Sequence, residues 1–210
     1  MDEMTSRPPR RKVTAALEGG LSIGLLGGSF NPAHTGHLEV TVSVREQLRL
    51  DRCWWLVTPG NPLKPQGEYA SLDRRVADAN RFAIGRPWLT VTDIESHLGT
   101  RYTVDTLTAL CRRFPKTRFV WIMGADNLFT FHHWRGWRQI ASLLPIAVMS
   151  RPGYTLAATR SVAGQALRAY RVKERSVAAL PFSEPPAWAL LPTVHNPISS
   201  TAIRANVAGT

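Results

Sequence analysis

The chain has few cysteines and no long hydrophobic run, and each shortage excludes a class of protein. Cys53 and Cys111 are the only cysteines among 210 residues, and they lie far apart, outside any metal-ligating spacing. A disulfide-stapled secreted domain is therefore not expected, and two reduced thiols in a cytoplasmic protein fit better. No stretch of about 18 apolar residues is present, so no transmembrane helix is predicted. The N-terminus also lacks the apolar core of a secretory signal.

Acidic residues are scarce relative to basic ones. The chain carries 15 Asp and Glu against 26 Lys and Arg, which gives a net charge of +11. Residues 1–20 contribute only +1 of this, and the rest is spread along the chain without a long basic run. A dispersed positive field suits small polyanions such as nucleotides. A nucleic-acid-binding module is therefore the weaker interpretation of the charge.

The first 19 residues are polar and interrupted by prolines, which predicts a disordered tail followed by a single domain over residues 20–210. Beyond the tail, short apolar runs alternate with helical patterns. Strands are predicted for residues 21–27, 53–59, 88–94, 118–124, 145–151 and 187–193. Helices are predicted for residues 37–50, 71–85, 102–114 and 155–171.

This alternation predicts an α/β fold. Strands that are apolar throughout, rather than alternating, indicate a parallel sheet whose two faces are both covered by helices. We therefore expect a Rossmann-like, doubly wound sheet in a three-layer α/β/α arrangement. Such sheets bind ligands beyond the carboxyl ends of their strands, at a topological switch point.

The stretch GGSFNPAHTGH, residues 27–37, follows the first predicted strand directly. Gly27 and Gly28 allow the backbone to approach a ligand closely, and a helix starting near residues 35–37 offers free N–H groups to an anion. His34 and His37 can donate hydrogen bonds to phosphate oxygens. The pattern is neither a P-loop nor the dinucleotide fingerprint. A plain turn with a capping histidine, or a metal site built on the two histidines, is the alternative.

Four stretches together resemble one enzyme family. GGSFNPAHTGH is similar to the GxFxPxHxGH signature of the nucleotidyltransferase superfamily, and ISSTAIR, residues 198–204, to its ISSTxIR signature. RYTVDTL (101–107) and MGADNLFTFHHWRGWRQI (123–140) resemble the SYTxDTL and GxDxLxxFxxWxxW stretches of the bacterial nicotinate mononucleotide adenylyltransferases. The likeness extends from about residue 21 to residue 207.

The resemblance implies that nicotinate mononucleotide attacks the α-phosphorus of ATP in line, giving nicotinate adenine dinucleotide and pyrophosphate. The attacking phosphate is already an anion, so positioning and charge stabilisation would carry catalysis. The residues implied for catalysis are His34, His37, Lys64 and Arg204. The residues implied for ATP binding are Gly27, Gly28, Ser29, Phe30, Gly124, Asp126, Ile198, Ser199, Ser200 and Thr201.

Plainer roles remain open for several of these residues. Ser199 to Thr201 are good helix N-caps in their own right, Lys64 is equally a surface lysine, and Asp126 is equally an N-cap for a helix at 127. Many family members have a histidine just before the lysine, where this chain has Leu63. One phosphate contact of the family is therefore missing from the motif.

For nicotinate mononucleotide, the resemblance implies Thr103 near the carboxylate and an aromatic partner for the pyridine ring. Trp134 and Trp137 lie three residues apart, which predicts that they share one helical face, although tryptophans are more often core residues. Mg²⁺ would accompany ATP on its phosphates, so no metal-binding residue is assigned. A related transferase acting on nicotinamide mononucleotide or phosphopantetheine is the nearest alternative. The sequence leaves a monomer and a homo-oligomer both open.

Overall fold

The computed structural model describes residues 19–60 and 70–192 of the chain. The strands are β1 Ser22–Gly28, β2 Arg52–Val57, β3 Leu89–Thr92, β4 Arg118–Gly124, β5 Ile146–Met149 and β6 Trp188–Leu191. The α-helices are α1 Thr35–Leu48, α2 Leu72–Ala83, α3 Ile94–Leu98, α4 Thr103–Arg113, α5 Ala125–Thr130, α6 Trp137–Leu143, α7 Thr155–Arg160 and α8 Val162–Ala166. Short 3₁₀ helices occupy Phe131–His133, Arg168–Tyr170 and Glu174–Phe182. All six predicted strands are confirmed.

The strands form one sheet in the order β3-β2-β1-β4-β5-β6, and every neighbouring pair is parallel. This order is that of the doubly wound Rossmann fold, in which the chain starts at the centre and works outward in each direction in turn. The predicted fold class is therefore confirmed. The reversal of direction lies between β1 and β4.

Strand β2 shows why the sheet is covered on both faces. Its residues are buried from Cys53 to Val57. Trp54 and Leu56 belong to one hydrophobic cluster, and Cys53, Trp55 and Val57 belong to a second cluster on the opposite face. Successive side chains of a strand point to opposite faces, so a strand apolar at every position needs a helical layer on each side.

The prediction of one continuous helix over residues 155–171 is wrong, because the segment forms two short α-helices. Helix α7 ends at Arg160 and α8 begins at Val162, because Ser161 between them is extended (φ −65°, ψ 167°). The Ser161 hydroxyl donates to the Ala158 carbonyl at 2.7 Å and accepts from the Gly164 N–H at 3.1 Å. A side chain that satisfies both helix ends favours two short helices over one long one.

The remaining sequence-based expectations on organisation are tested only in part. Cys53 and Cys111 are both free thiols, and burial raises the pKa of Cys53 to about 12. No helix within the described part of the chain is long and apolar enough to span a membrane. The tail and the single-domain division at residue 20 stay predictions, because residues 1–18 lie outside the described ranges.

Candidate functional site

The candidate site lies at the carboxyl ends of β1 and β4, the two neighbouring strands at the centre of the sheet. Strand β1 ends at Gly28 and leads into the histidine-containing turn, and β4 ends at Gly124 just before Asp126. Loops leaving adjacent strands in opposite directions open a crevice between them. Two of the motifs found in the sequence therefore meet where this fold binds ligands.

The turn after β1 is held in an uncommon conformation. Phe30 has φ 47°, in the left-handed region of backbone conformation that residues other than glycine rarely adopt. Its buried ring stacks on Trp55 at a centroid distance of 4.9 Å and lies 4.8 Å from the ring of His37. Residues in such conformations persist where surrounding packing fixes them, and they concentrate at functional sites.

His34 and His37 mark the start of helix α1. His34 is the N-cap, with extended backbone, and its N–H donates to Nδ1 of His37 at 3.2 Å. The two rings lie 3.8 Å apart. Because Nδ1 of His37 accepts a hydrogen bond, the proton of the neutral ring is on Nε2. His37 can therefore present an N–H to a ligand.

Both histidines are held in the neutral form at pH 7. Burial, with a smaller contribution from neighbouring His34, lowers the pKa of His37 to about 3. Burial and then the charge of Arg151 lower the pKa of His34. The His34 side chain faces the backbone N–H of His37 in a capping-box arrangement at the start of α1, although Nδ1 of His34 makes no hydrogen bond of normal geometry with the residues that the structure describes.

Asp126 follows the end of β4 and belongs to the first turn of α5. Gly124 is the N-cap of this helix, so the alternative in which Asp126 caps a helix at 127 is wrong. Oδ2 of Asp126 pairs with Nη1 of Arg151 at 2.8 Å. Oδ1 is buried and finds no partner within residues 19–60 and 70–192. A Cβ at Gly124 would collide with this oxygen, so a side chain at position 124 would require Asp126 to move.

Arg151 is a site residue that sequence reasoning missed. It follows the end of β5, pairs with Asp126 and lowers the pKa of His34 through its charge. It therefore connects the side chain after β4 with the turn after β1. Its position as the last residue of the strand predicted over residues 145–151 was the signal in the sequence, and it was weak because the chain is rich in arginine throughout.

Trp134 and Trp137 do not share a helical face, so that prediction is wrong. Trp134 is extended, and Gly136 in the left-handed conformation separates it from Trp137 at the start of α6. Trp137 is only 7% exposed and packs in the core, whereas Trp134 is partly buried at its edge. A Cβ at Gly136 would lie 3.0 Å from Cγ2 of Val104. The turn that carries Trp134 therefore packs on the first turn of α4, where Thr103 is the first residue.

Six of the predicted site residues fall in ranges that the structure does not describe, 61–69 and 193–210. These residues are Lys64, Ile198, Ser199, Ser200, Thr201 and Arg204. Their roles remain predictions from the sequence motifs.

Comparison with known proteins decides the family. A family model described as Cytidylyltransferase-like matches residues 25–206. A probable nicotinate-nucleotide adenylyltransferase of Methylorubrum extorquens is 53% identical over 184 residues, which cover 88% of this chain and 99% of the relative. A protein of the same description from Parvibaculum lavamentivorans is 54% identical over 188 residues, 90% of this chain and 93% of its own length.

The chain belongs to the nicotinate-nucleotide adenylyltransferases.

Solved structures of this enzyme class share the fold. The nicotinic acid mononucleotide adenylyltransferase of Plasmodium falciparum complexed with APC aligns with a TM-score of 0.63 over 88% of this chain and 83% of its own. A putative nicotinate-nucleotide adenylyltransferase from Vibrio parahaemolyticus aligns with a TM-score of 0.51 over 90% of this chain and 89% of its own. Sequence identities of 16% and 17% mean that these likenesses show the fold alone.

Gly27 of this nicotinate-nucleotide adenylyltransferase has a packing role that can be tested. A Cβ there would lie 2.6 Å from Cη2 of the buried Trp121. We expect Gly27→Ala to lower the free energy of unfolding by about 1–3 kcal/mol through overpacking. Trp121→Phe removes the obstructing ring edge, so the cost of Gly27→Ala should shrink in that background. Urea unfolding of the two single variants and the double variant measures this coupling.

The matched control for this cycle is Gly24→Ala. A Cβ at Gly24 would meet Ile122 and Leu50 at 2.7 and 2.8 Å, and Trp121 is not among its nearest contacts. Its cost should therefore be the same whether or not the protein also carries Trp121→Phe. Strictly additive effects of Gly27→Ala and Trp121→Phe would show that Gly27 is required for another reason.

Proposed function

We propose that the crevice between β1 and β4 transfers the adenylyl group of ATP to nicotinate mononucleotide, giving nicotinate adenine dinucleotide and pyrophosphate, a step of NAD biosynthesis. The observation that carries the proposal is the meeting of His34, His37 and Asp126 at the switch point of the sheet. Oδ1 of Asp126 there is buried and has no hydrogen-bond partner within the described ranges. The names of the close relatives agree with this reaction.

The protonation state of His37 fits this chemistry. A histidine whose pKa is about 3 is a weak base at neutral pH, but its neutral ring already carries the Nε2–H and donates a hydrogen bond without first gaining a proton. The attacking phosphate of the mononucleotide is already ionised and needs no base. His37 therefore stabilises negative charge on the α-phosphate as the new bond forms, and His34 holds a neighbouring phosphate oxygen.

The rest of the ATP site combines described residues with residues known only from the motifs. The backbone of Gly27, Gly28, Ser29 and Phe30 faces the nucleotide, and Asp126 accepts from a ribose hydroxyl, as acidic residues do in related folds. Lys64 and Arg204 complete the phosphate contacts. Ile198, Ser199, Ser200 and Thr201 bind the β- and γ-phosphates through the helix start that their motif predicts.

The mononucleotide is placed against α4 and the turn before α6. Trp134, at the edge of the core, is better placed than the buried Trp137 to stack on a pyridine ring. Thr103 begins helix α4, whose free N–H groups favour an anion such as the nicotinate carboxylate. The guanidinium carbon of Arg135 lies 4.6 Å from the centre of the Tyr102 ring. Nη1 of Arg135 lies 3.9 Å from Oδ2 of Asp105. Because Asp105 offsets this positive charge, the proposed preference for the acid over the amide rests on the start of helix α4 at Thr103.

Mg²⁺ would enter with ATP and would neutralise part of the negative charge on its phosphates. No group of three His, Cys, Asp or Glu side chains able to hold a metal ion occurs in the described ranges. We also propose that the enzyme works in the cytoplasm, on small-molecule substrates and not on nucleic acid.

Pyrophosphate release from Mg-ATP tests the proposal, with nicotinate mononucleotide, nicotinamide mononucleotide and phosphopantetheine compared as acceptors. We expect kcat/KM with the nicotinate form to exceed the others by at least about tenfold, a difference of roughly 1.4 kcal/mol in transition-state binding. A higher value with either other acceptor would assign the site to a different transferase. Absence of release with all three would overturn the reaction.

A further inference from the structure

Helix α2 carries a buried cation next to the candidate site. Its sequence contains Arg74 and Arg75 in succession. Arg74 is exposed, with 66% of its side chain accessible, and pairs with Asp78. Arg75 is only 2% exposed. A guanidinium in such a position must be extensively hydrogen-bonded, since burying its charge is otherwise very unfavourable.

The Arg75 guanidinium donates to the main chain of three different segments. Nη1 donates to the carbonyls of Ser29 at 2.8 Å and Thr58 at 2.7 Å. Nη2 donates to Pro59 at 2.9 Å, and Nε donates to Ala70 at 2.9 Å. One side chain therefore ties the turn after β1 to the loop after β2 and to the segment that precedes α2. The backbone bond from the Thr58 N–H to the Gly28 carbonyl, 3.0 Å, joins the same two loops.

The bond to Ser29 fixes the orientation of a peptide group in the nucleotide-binding turn. The peptide between Ser29 and Phe30 is trans, so its N–H points away from the carbonyl that Arg75 holds. Phe30 then packs on Trp55 and His37. A shift of the Ser29 carbonyl would therefore move both the Phe30 N–H and the ring against which His37 rests.

We propose that Arg75 is a positioning residue for ATP. It contacts main-chain carbonyls rather than substrate, and it sets the turn of Ser29 and Phe30 in the arrangement that receives the nucleotide. Lysine cannot replace it, because a single ammonium lacks the planar fork that reaches four carbonyls on three segments. The proposal rests on the proposed function of the same site.

The experiment compares Arg75→Lys, Arg75→Ala and the neighbouring control Arg74→Ala. For each variant kcat and KM for ATP are measured per folded molecule, together with the melting temperature and the affinity for a non-hydrolysable ATP analogue. Arg75→Lys should lower kcat/KM for ATP by roughly 10- to 100-fold, the range expected when catalytic groups are displaced by about an ångström. It should also weaken analogue binding. Millimolar guanidinium should restore part of the activity of Arg75→Ala, whereas Arg74→Ala should resemble the wild type throughout.

The proposal is overturned if Arg75→Lys keeps kcat/KM and analogue affinity within twofold of the wild type. It is also overturned if activity falls only in proportion to the folded fraction, with KM unchanged and no guanidinium rescue. If Arg75→Ala does not fold, Arg75→Lys decides alone. A wild-type protein that fails to use nicotinate mononucleotide refutes the proposed function instead, and the ATP-analogue affinities of the variants still decide the role of Arg75.

Discussion

Replacing His37 by asparagine lowers kcat by roughly 100-fold or more, the loss expected when a donor to developing transition-state charge is removed. Asparagine retains an acceptor near the position of Nδ1, which receives the His34 N–H at 3.2 Å, but has nothing at the position of Nε2. Glutamine places an amide N–H near Nε2 and gives up the Nδ1 acceptor. His37→Gln should therefore keep more activity than His37→Asn while losing more stability.

Steady-state kinetics and thermal unfolding of the two variants separate these functions of the ring. His97→Asn is the control, since His97 is exposed on α3, and its kcat should be unchanged. Equal kcat values for His37→Asn and the wild type would remove His37 from the chemistry. A greater loss of activity in His37→Gln than in His37→Asn would show that the important role of His37 is to accept the His34 N–H at Nδ1, and not to donate to phosphate.

Replacing Glu95 by glutamine affects stability more favourably at pH 8 than at pH 4.5. The change in the free energy of unfolding caused by the substitution differs between the two pH values by at most about 3 kcal/mol. Glu95 of α3 is 7% exposed, and burial raises its pKa to about 7, against a smaller opposing effect of the hydrogen bond with Thr106. Native Glu95 is therefore still protonated at pH values where the unfolded chain has released this proton. Its stabilising contribution is complete below about 4.5 and is lost as the pH rises through about 7.

Chemical denaturation of wild type and Glu95→Gln across pH 4.5–8 measures this difference. Taking the difference also removes the opposing contribution of His37, whose lowered pKa makes the native state less stable as the pH falls below 6.5. The control is Glu174→Gln, because 84% of the Glu174 side chain is exposed. A difference between wild type and Glu95→Gln that does not change with pH would contradict the prediction.

The strands, and the meeting of two sequence motifs at the switch point, were predictable from the sequence because the signals are local and strong. Residues 119–123 and 145–149 are apolar at every position, and in a doubly wound sheet such runs are buried strands. Once β1 and β4 are neighbours, the residues that follow Gly28 and Gly124 must meet. Helix α3, with five residues, is too short to show a period and was not predicted.

The errors arise where tertiary contacts decide a local choice. The break at Ser161 depends on a hydroxyl that serves two helix ends, and the separation of the two tryptophans depends on the left-handed Gly136 packed against Val104. Helical spacing places Arg75, and not Arg74, on the same face as the buried Val76 and Ala79. The sequence did not show what would satisfy a cation there, because the carbonyls of Ser29, Thr58, Pro59 and Ala70 come together only in the folded protein.

The order of the strands has a consequence for how the protein is made. Ile23 of β1 pairs with Phe119 of β4, so the innermost contact of the sheet joins segments far apart in the chain. During synthesis the first strand is finished long before its central partner leaves the ribosome, at roughly 5–20 residues per second. Until then, one edge of β1 is unpaired, and the loop that follows β4 is not yet present to complete the crevice. The nascent chain therefore acquires its binding site late, in the same event that closes the middle of the sheet.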